Sequence, residues 1–244
     1  MQGQSQQQAY DRGITIFSPD GRLYQVEYAR EAVSRGTASV GVRTPDGVVL
    51  GAVRRVRSEL MERSSVEKLH KADDHIGIAS AGHVADARQL IDFARRRAQT
   101  ERLRYDEPIP IETLTKSVTD HIQQFTQTGG ARPFGVALLV GGVIDGQPRL
   151  FETDPSGTPY EWQATAVGGD REAIQEVLEE GYRDDLDLEA GVDLALRGLS
   201  STNEDLEAQG VEIATIDTES ESFETLDTAT IESHLAEIGG ESDE

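Results

Sequence analysis

The stretch RGTASVGVRTPDGVVLGAVRR, residues 35–55, predicts two adjacent strands joined by a tight turn. The runs TASVGV and GVVLGAV are dense in apolar residues, which is typical of a sheet covered on both faces. TPDG between them, at residues 44–47, has turn composition. Thr37 opens the first run after a glycine, and a threonine in that setting is the nucleophile of hydrolases that use their own N-terminal amine as base. The stretch indicates either such an enzyme or the same scaffold without its chemistry.

Outward from this stretch, apolar residues recur at helical and strand spacings. Before it, four residues predict one face of a helix that ends near Gly36. They are Leu23, Val26, Arg30 and Val33. After it, the predicted elements are a strand pair at 65–82, helices at 87–98 and 110–125, strands at 134–157 and 162–169, helices at 174–178 and 188–199, a hairpin at 211–227 and a helix at 228–238. This order predicts an α+β fold of two sheets packed face to face, with a helical pair on each outer side.

Neither a repeat nor a domain-scale linker interrupts these elements. Residues 13–238 are therefore expected to form a single αββα domain. Residues 1–12 are mainly polar and lack periodicity, which predicts a mobile N-terminal tail. Residues 239–244, GGESDE, predict an acidic solvated tail.

Charge is the strongest compositional signal. Aspartate and glutamate number 45 against 23 lysines and arginines, which gives the 244-residue chain a formal net charge of −22. At molar salt the Debye length falls to about 3 Å, so like charges stop repelling at range and the carboxylates keep the surface hydrated. A folded protein of a halophilic microbial cytoplasm is predicted. Nucleic-acid partners are disfavoured because phosphates would meet a negative surface.

Neither a membrane span nor a secretion signal is predicted. No apolar run approaches the roughly 20 residues that cross a bilayer, and the start MQGQSQQQAYDRG lacks the charged-then-apolar order of a secretion signal. Because there is no cysteine, disulfides and thiolate metal ligands are excluded. The five histidines show no ligand spacing, so no metal or other cofactor is expected. The sequence predicts a cytoplasmic protein.

Residues 10–33, YDRGITIFSPDGRLYQVEYAREAV, resemble the N-terminal signature of proteasome α-type subunits. The resemblance continues through SSVEKLHKADDHIGIASAGHVADAR, GGARPFGVALLVGG and RLFETDPSG, and so covers nearly the whole chain. It is strong with archaeal α subunits, and the acidic composition points to haloarchaeal ones. The resemblance implies a four-layer αββα sandwich with the N-terminal-nucleophile hydrolase fold, in a non-catalytic member.

The resemblance also implies a function and a set of partners. In this family, seven copies form each outer ring of the 20S core particle, template its assembly, cap the peptidase β rings and gate the substrate channel. Activating AAA ATPases dock their C-termini on this ring, and unfolded proteins pass through it during ATP-dependent, ubiquitin-independent degradation. The implied partners are α subunits, β subunits, activating ATPases and unfolded substrates, with no nucleic acid and no membrane.

Thr37 falls where the catalytic threonine of the related β-type subunits begins. A hydroxyl needs an adjacent base, which in those enzymes is the freed α-amine of the threonine itself. Here the Thr37 nitrogen is a peptide amide, and Val53 stands where β subunits carry an aspartate, although Lys68 matches their lysine. No catalytic residue is therefore predicted. The alternative is a β-type threonine peptidase made as a precursor and cleaved at Gly36–Thr37, which the intact mass of the purified chain would reveal.

The resemblance places a gate at the start of the chain. In the family, a cluster between neighbouring subunits holds the N-terminal tails in an open arrangement. The matching residues are Tyr10, Asp11, Arg12, Pro19 and Tyr28. Two phenols and a carboxylate suit charge-assisted hydrogen bonds, and a proline fixes the turn beneath them. The alternative is that Tyr10 and Tyr28 are ordinary packing aromatics.

A second site implied by the resemblance is a pocket between subunits that receives the C-termini of activating ATPases. Lys68, Arg30 and the backbone at Gly82 match that pocket. A lysine beside backbone amides suits a terminal carboxylate. The alternative is that Lys68 only pairs with a local acid such as Glu67 or Asp73.

Overall fold

The computed structural model describes residues 17–18, 21–56, 58, 60–128, 131–203 and 205–241. The strands are β1 (Ser39–Thr44), β2 (Gly47–Val53), β3 (Leu69–Asp73), β4 (Ile76–Gly82), β5 (Val136–Ile144), β6 (Gln147–Thr153), β7 (Pro159–Glu161), β8 (Ala164–Val167), β9 (Val211–Asp217) and β10 (Phe223–Thr225). The helices are α1 (Tyr24–Ser34), α2 (Val84–Tyr105), α3 (Ile111–Gln127), α4 (Arg171–Gly181), α5 (Leu188–Ser200) and α6 (Thr228–Glu241). Short 3-10 turns lie at Arg63–Ser65 and Ala208–Gly210.

The strands form two five-stranded antiparallel sheets. The first has the order β10-β9-β2-β1-β8, and the second has the order β3-β4-β5-β6-β7. A tight turn joins β1 to β2 in a register that places Val42 opposite Val49. The strand pair predicted at residues 35–55 is confirmed, and every residue of β2 is buried, as expected for a central strand covered on both faces.

Apolar side chains from both sheets meet between them. Val48 and Leu50 of the first sheet share a buried cluster with Leu139 and Leu150 of the second. The sheets approach closely at Gly41, where an added Cβ would lie 2.7 Å from Leu150 Cδ1. Burial of apolar surface, at about 25 cal/mol per Å², is the main term that stabilises such a sandwich.

Helices cover both outer faces of the sandwich. Leu90 of α2 and Leu114 of α3 are buried against the second sheet. Ile174 of α4 and Leu199 of α5 are buried against the first sheet, and α6 adds Ile231 beside them. The predicted four-layer αββα sandwich is confirmed, with α6 packed alongside α5.

Helix α1 packs at the end of the sandwich where β4 ends and β5 begins. Its buried residues are Val26, Ala29 and Val33. The helical spacing of the sequence predicted Arg30 on the same face of the helix as Val26 and Val33. In the structure Arg30 is exposed, and its guanidinium reaches Asp154. Arg30 lies at the edge of the apolar stripe, where a long side chain keeps its charged end in solvent.

The terminal helix α6 extends to Glu241, three residues beyond the end predicted at 238. Residues 242–244 of the predicted tail lie outside the described residues, as do residues 1–12. Within the described part of the chain, no helix combines the length and apolar character needed to cross a membrane.

Candidate functional site

The segments that lead into β1 and β3 bring Thr37 and Lys68 together. Lys68 Nζ donates hydrogen bonds to Thr37 O at 2.7 Å, Thr37 Oγ1 at 2.8 Å and Ala38 O at 3.0 Å. An ammonium has three protons to donate, so atoms of the same chain satisfy the protonated Lys68 side chain completely. We refer to Thr37, Ala38 and Lys68 as the Thr37 cluster.

Burial controls the protonation of Lys68. It lowers the pKa of Lys68 to about 7, and the charge of Glu212 offsets this only in part. Glu212 accepts the backbone N–H of Lys68 at 2.9 Å, and burial raises the pKa of Glu212 as well. Glu67 and Asp73, the acids considered from the sequence, have other basic partners. Glu212 is therefore the carboxylate that acts on Lys68.

Thr37 lacks the freed α-amine that serves as the base in N-terminal threonine hydrolases. The Thr37 nitrogen is a peptide amide that follows Gly36, so it has no basic lone pair. Val53, at the end of β2, is buried in the core between the first sheet and its helices. Its backbone N–H donates to Ala38 O at 3.0 Å, but its apolar side chain supplies no carboxylate. The Thr37 cluster keeps a hydroxyl and a lysine amine, but it has neither a free α-amine nor a carboxylate at position 53.

A pocket of about 670 Å³, here termed the Lys68 pocket, opens beside the Thr37 cluster. Lys68 and Gly82 both line it. Gly82 has a φ of 119°, in the region that favours glycine, and an added Cβ there would overlap the carbonyl oxygen of Gly135. The structure thus brings together two of the three residues predicted for activator binding.

Arg30, the third predicted residue, lines a separate pocket of about 820 Å³. Its guanidinium donates to both carboxylate oxygens of Asp154 at 2.9 Å and to Glu27 Oε1 at 2.8 Å. The hydrogen bonds to Asp154 raise the pKa of Arg30. This bidentate pair fastens α1 to the segment after β6, and within one chain Arg30 does not line the Lys68 pocket.

Tyr28 is the gate residue that falls within the described ranges. It lies on α1, is 51% exposed, and lines a pocket of about 430 Å³ together with Gly82 and His83. Tyr28 is therefore more exposed than an aromatic residue of the core. The other predicted gate residues, Tyr10, Asp11, Arg12 and Pro19, lie outside the described residues.

Asp154 and Glu212 belong to these sites, although no role was predicted for either from the sequence. Asp154 lies within the stretch RLFETDPSG, and Glu212 lies within the predicted hairpin at 211–227. Asp154 lies 124 residues from Arg30, and Glu212 lies 144 residues from Lys68. These separations in the sequence are far too long for a helical or strand period to connect the residues. Only the folded arrangement of the two sheets shows that Asp154 is the partner of Arg30 and Glu212 that of Lys68.

Two family models match the chain. One is described as proteasome subunit and covers residues 33–216, and the other describes the N-terminal signature of A-type proteasome subunits and covers residues 10–32. The proteasome alpha 1 subunit of Haloarcula marismortui is 71% identical over 97% of this chain and 92% of its own length. The proteasome alpha subunit of Natronomonas pharaonis is 72% identical over 97% of this chain and 94% of its own length.

The proteasome alpha 1 subunit of Haloferax volcanii is likewise 72% identical, over 96% of this chain and 94% of its own length. These relatives are alpha subunits of halophilic archaea, in agreement with the acidic composition, and they favour the alpha type over the β-type alternative. The chain therefore belongs to the proteasome subunit family as an alpha-type member, the non-catalytic class within this threonine protease complex.

Proposed function

We propose that this chain forms the seven-membered outer ring of a proteasome core particle, where it templates assembly, gates the channel and docks activating ATPases. The observation that carries this proposal is the match to the alpha N-terminal signature over residues 10–32, which includes most of α1. The blocked nitrogen of Thr37 supports it, because peptide cleavage must then come from partner β subunits. A closed ring also needs two different complementary surfaces on each copy.

The proposed gate consists of residues 1–12 together with Pro19 and Tyr28. Tyr10, Asp11 and Arg12 would contact Tyr28 near the start of α1, where its half-exposed side chain is accessible. Hydrogen bonds between phenols and a carboxylate would then set the direction in which the tails leave the ring. Such a cluster regulates the passage of unfolded protein in the cytoplasm without any chemistry of its own.

The proposed docking site is the Lys68 pocket, with Lys68 and the backbone at Gly82 receiving the terminal carboxylate of an activator. In one chain, Arg30 lies in a different pocket, so its participation requires that the neighbouring copy in the ring supplies it. Lys68 would exchange one of its three acceptors in the Thr37 cluster for the incoming carboxylate. A point charge with three donors suits this exchange.

Co-expression with the β subunit of the host tests the proposal. We expect a complex that contains both subunits, whose native mass fits seven-membered rings, and in which the alpha chain retains the residues before Thr37. An activating ATPase should stimulate protein degradation by this complex, and Lys68→Ala should reduce the stimulation while cleavage of small peptides stays unchanged. A chain of monomeric native mass, or one that begins at Thr37, would refute the proposal.

A further inference from the structure

The Lys68 pocket is basic although the chain as a whole is strongly acidic. Five lysine and arginine residues line it against two carboxylates, whereas the whole chain has 23 basic and 45 acidic residues. The basic residues are Arg35, Arg55, Lys68, Arg88 and Arg95, and the acidic ones are Glu67 and Asp92. The balance of charge in this pocket is thus the reverse of that in the whole chain.

The positive charge of the pocket acts on His70, which also lines it. Burial is the main cause that lowers the pKa of His70. The charges of Arg95 and Arg88 lower it further, and those of Glu67 and Asp92 oppose them. Arg95 and Arg88 therefore lie close enough to His70 to affect its protonation.

Two of the cations remain available to a ligand. Arg35 donates to Glu31, and Arg95 donates to the carbonyl oxygen of Lys71. Arg55 and Arg88 are exposed, and neither has a hydrogen-bond or ion-pair partner within the described part of the chain. The guanidinium groups of Arg55 and Arg88 are thus not neutralised by a carboxylate of the described residues.

The same pocket offers apolar surface. Val84 is 68% exposed and Met61 is 38% exposed, and Ala87 and Ile91 of α2 also line the pocket. A volume of about 670 Å³ accommodates several side chains of an extended peptide. The pocket therefore combines exposed apolar residues with two available guanidinium groups.

High salt determines which of these charges contribute to binding. At molar ionic strength the Debye length is about 3 Å, so attraction at range is screened, but directly paired groups still interact. The planar guanidinium forms bidentate pairs with carboxylates, which gives arginine an advantage over lysine in such contacts. Arg55 and Arg88 suit direct pairing with side-chain carboxylates.

We propose that the Lys68 pocket selects acidic C-terminal peptides, in which aspartate or glutamate side chains upstream of the terminal carboxylate pair with Arg55 and Arg88. An apolar side chain of the same peptide packs on Met61 and Val84. The inference rests on the proposed docking of activators and adds the chemistry of their tails. Charge complementarity favours this occupant, since the two arginines have no partner among the described residues of their own chain.

Two labelled synthetic peptides with free C-terminal carboxylates test the inference. Both carry the same apolar residues, but one has aspartate and glutamate upstream and the other has asparagine and glutamine. Fluorescence anisotropy with assembled core particles at molar salt should show roughly tenfold tighter binding of the acidic peptide, as expected for one or two charge-assisted hydrogen bonds. Arg55→Gln and Arg88→Gln should remove most of this preference. Arg104→Gln, at an exposed arginine outside the pocket, is the matched control.

Equal binding of the two peptides, or an unchanged preference in both arginine variants, overturns the inference while docking at Lys68 stands. Rings that dissociate in Arg88→Gln would assign this arginine to the contact between neighbouring copies and would also overturn it. If neither peptide binds and Lys68→Ala leaves ATPase stimulation unchanged, the proposed docking function itself fails. Preferential binding that is lost in Arg88→Gln and retained in Arg104→Gln supports the selection of acidic tails.

Discussion

Lys68 has the amine of a catalytic site without the partners that catalysis needs. Its ammonium is bonded to three oxygen atoms of the Thr37 cluster, and the nearby carboxylate is Glu212. Burial with incomplete charge compensation brings its pKa to about 7. The same property makes Lys68 sensitive to pH in any role that requires its charge.

We expect activator docking to weaken as the pH rises from about 6 to about 8.5. A carboxylate ligand binds the protonated amine, and the protonated fraction of Lys68 falls as the pH passes its pKa of about 7. The measurement is the ratio of protein degradation with and without ATPase, which cancels the pH dependence of the β sites. Lys68→Met has no titrating group, so its lower ratio should stay constant with pH. A wild-type ratio that does not change across this interval would contradict the assignment.

Thr37→Ala should leave the peptidase activity of assembled particles unchanged. Its hydroxyl accepts one hydrogen bond from Lys68. The variant should therefore lose about 1 kcal/mol of folding stability, and its assembled particles should keep their full peptidase activity. Thr37→Ser keeps the hydroxyl and should retain wild-type stability. The measurement is peptide hydrolysis together with the mass of the alpha chain after treatment with a threonine-directed inhibitor. An inhibitor adduct on Thr37 would contradict the non-catalytic role.

Helix α1 depends on the absence of a side chain at Gly36. An added Cβ there would overlap Gly82 N and would lie 3.0 Å from Gly82 Cα and 3.1 Å from Val33 O. All three are backbone atoms, which cannot move aside as a flexible side chain would. The helix therefore reaches its position at the end of the sandwich through a close contact between two glycines.

We expect Gly36→Ala to destabilise the protein by about 1–3 kcal/mol, the usual cost of overpacking. Thermal unfolding at high salt measures the loss. Gly239→Ala is the matched control, because an added Cβ at this helical position meets nothing within 4 Å and alanine favours helix by up to about 1 kcal/mol. If both variants have the same melting temperature, the glycine contact does not position α1.

Local patterns predicted most of the elements because period and turn composition are properties of adjacent residues. The pair β1–β2 and the stripe on α3 are examples, and both lie where the sequence placed them. Partners of charged side chains were not predictable in this way. Arg30 binds Asp154, and Lys68 binds Thr37 and Ala38, across separations in the sequence that no helical or strand period connects. The family resemblance named residues of the sites, but the contacts of those residues require the fold.

The whole molecule has many more carboxylates than basic groups to pair with them, 45 against 23. Helix α4 illustrates this, because Glu172 and Glu176 are exposed one turn apart, and Glu180 continues the same row. Like charges at this spacing repel one another and destabilise the helix, unless salt screens them. We therefore expect a chain of net charge −22 to need high ionic strength to remain folded and assembled.

Removal of salt should dissociate the rings or unfold the chain. At low ionic strength, repulsion between copies that each carry −22 charges acts over tens of ångströms, about 30 Å at 0.01 M. Sedimentation at high and low salt measures the ring content, and far-UV circular dichroism distinguishes dissociation from unfolding. Equal ring content in both conditions would contradict the halophilic interpretation of the charge.

Deletion of residues 2–12 should increase degradation of unfolded protein when no ATPase is present. Seven copies of this mainly polar segment, gathered at the axis of a ring, would block an unfolded chain sterically. Blocked and open arrangements need to differ by only a few kcal/mol for an activator to shift their balance. Hydrolysis of casein by reconstituted particles measures access, and hydrolysis of a small peptide, which should not change, is the control for β-site chemistry.

Tyr10→Ala and Asp11→Ala should act differently from the deletion. The segment is still present in these variants, so casein hydrolysis without ATPase should stay low. The activator should also stimulate it poorly, since the proposed hydrogen bonds with Tyr28 that hold the open arrangement are lost. Tyr10→Phe separates the packing of the aromatic side chain from its hydrogen bonding, because phenylalanine keeps the aromatic surface and lacks only the hydroxyl. Full ATPase stimulation in Tyr10→Ala and Asp11→Ala would exclude both residues from the gate, and no gain on deletion of residues 2–12 would mean that this segment does not block the channel.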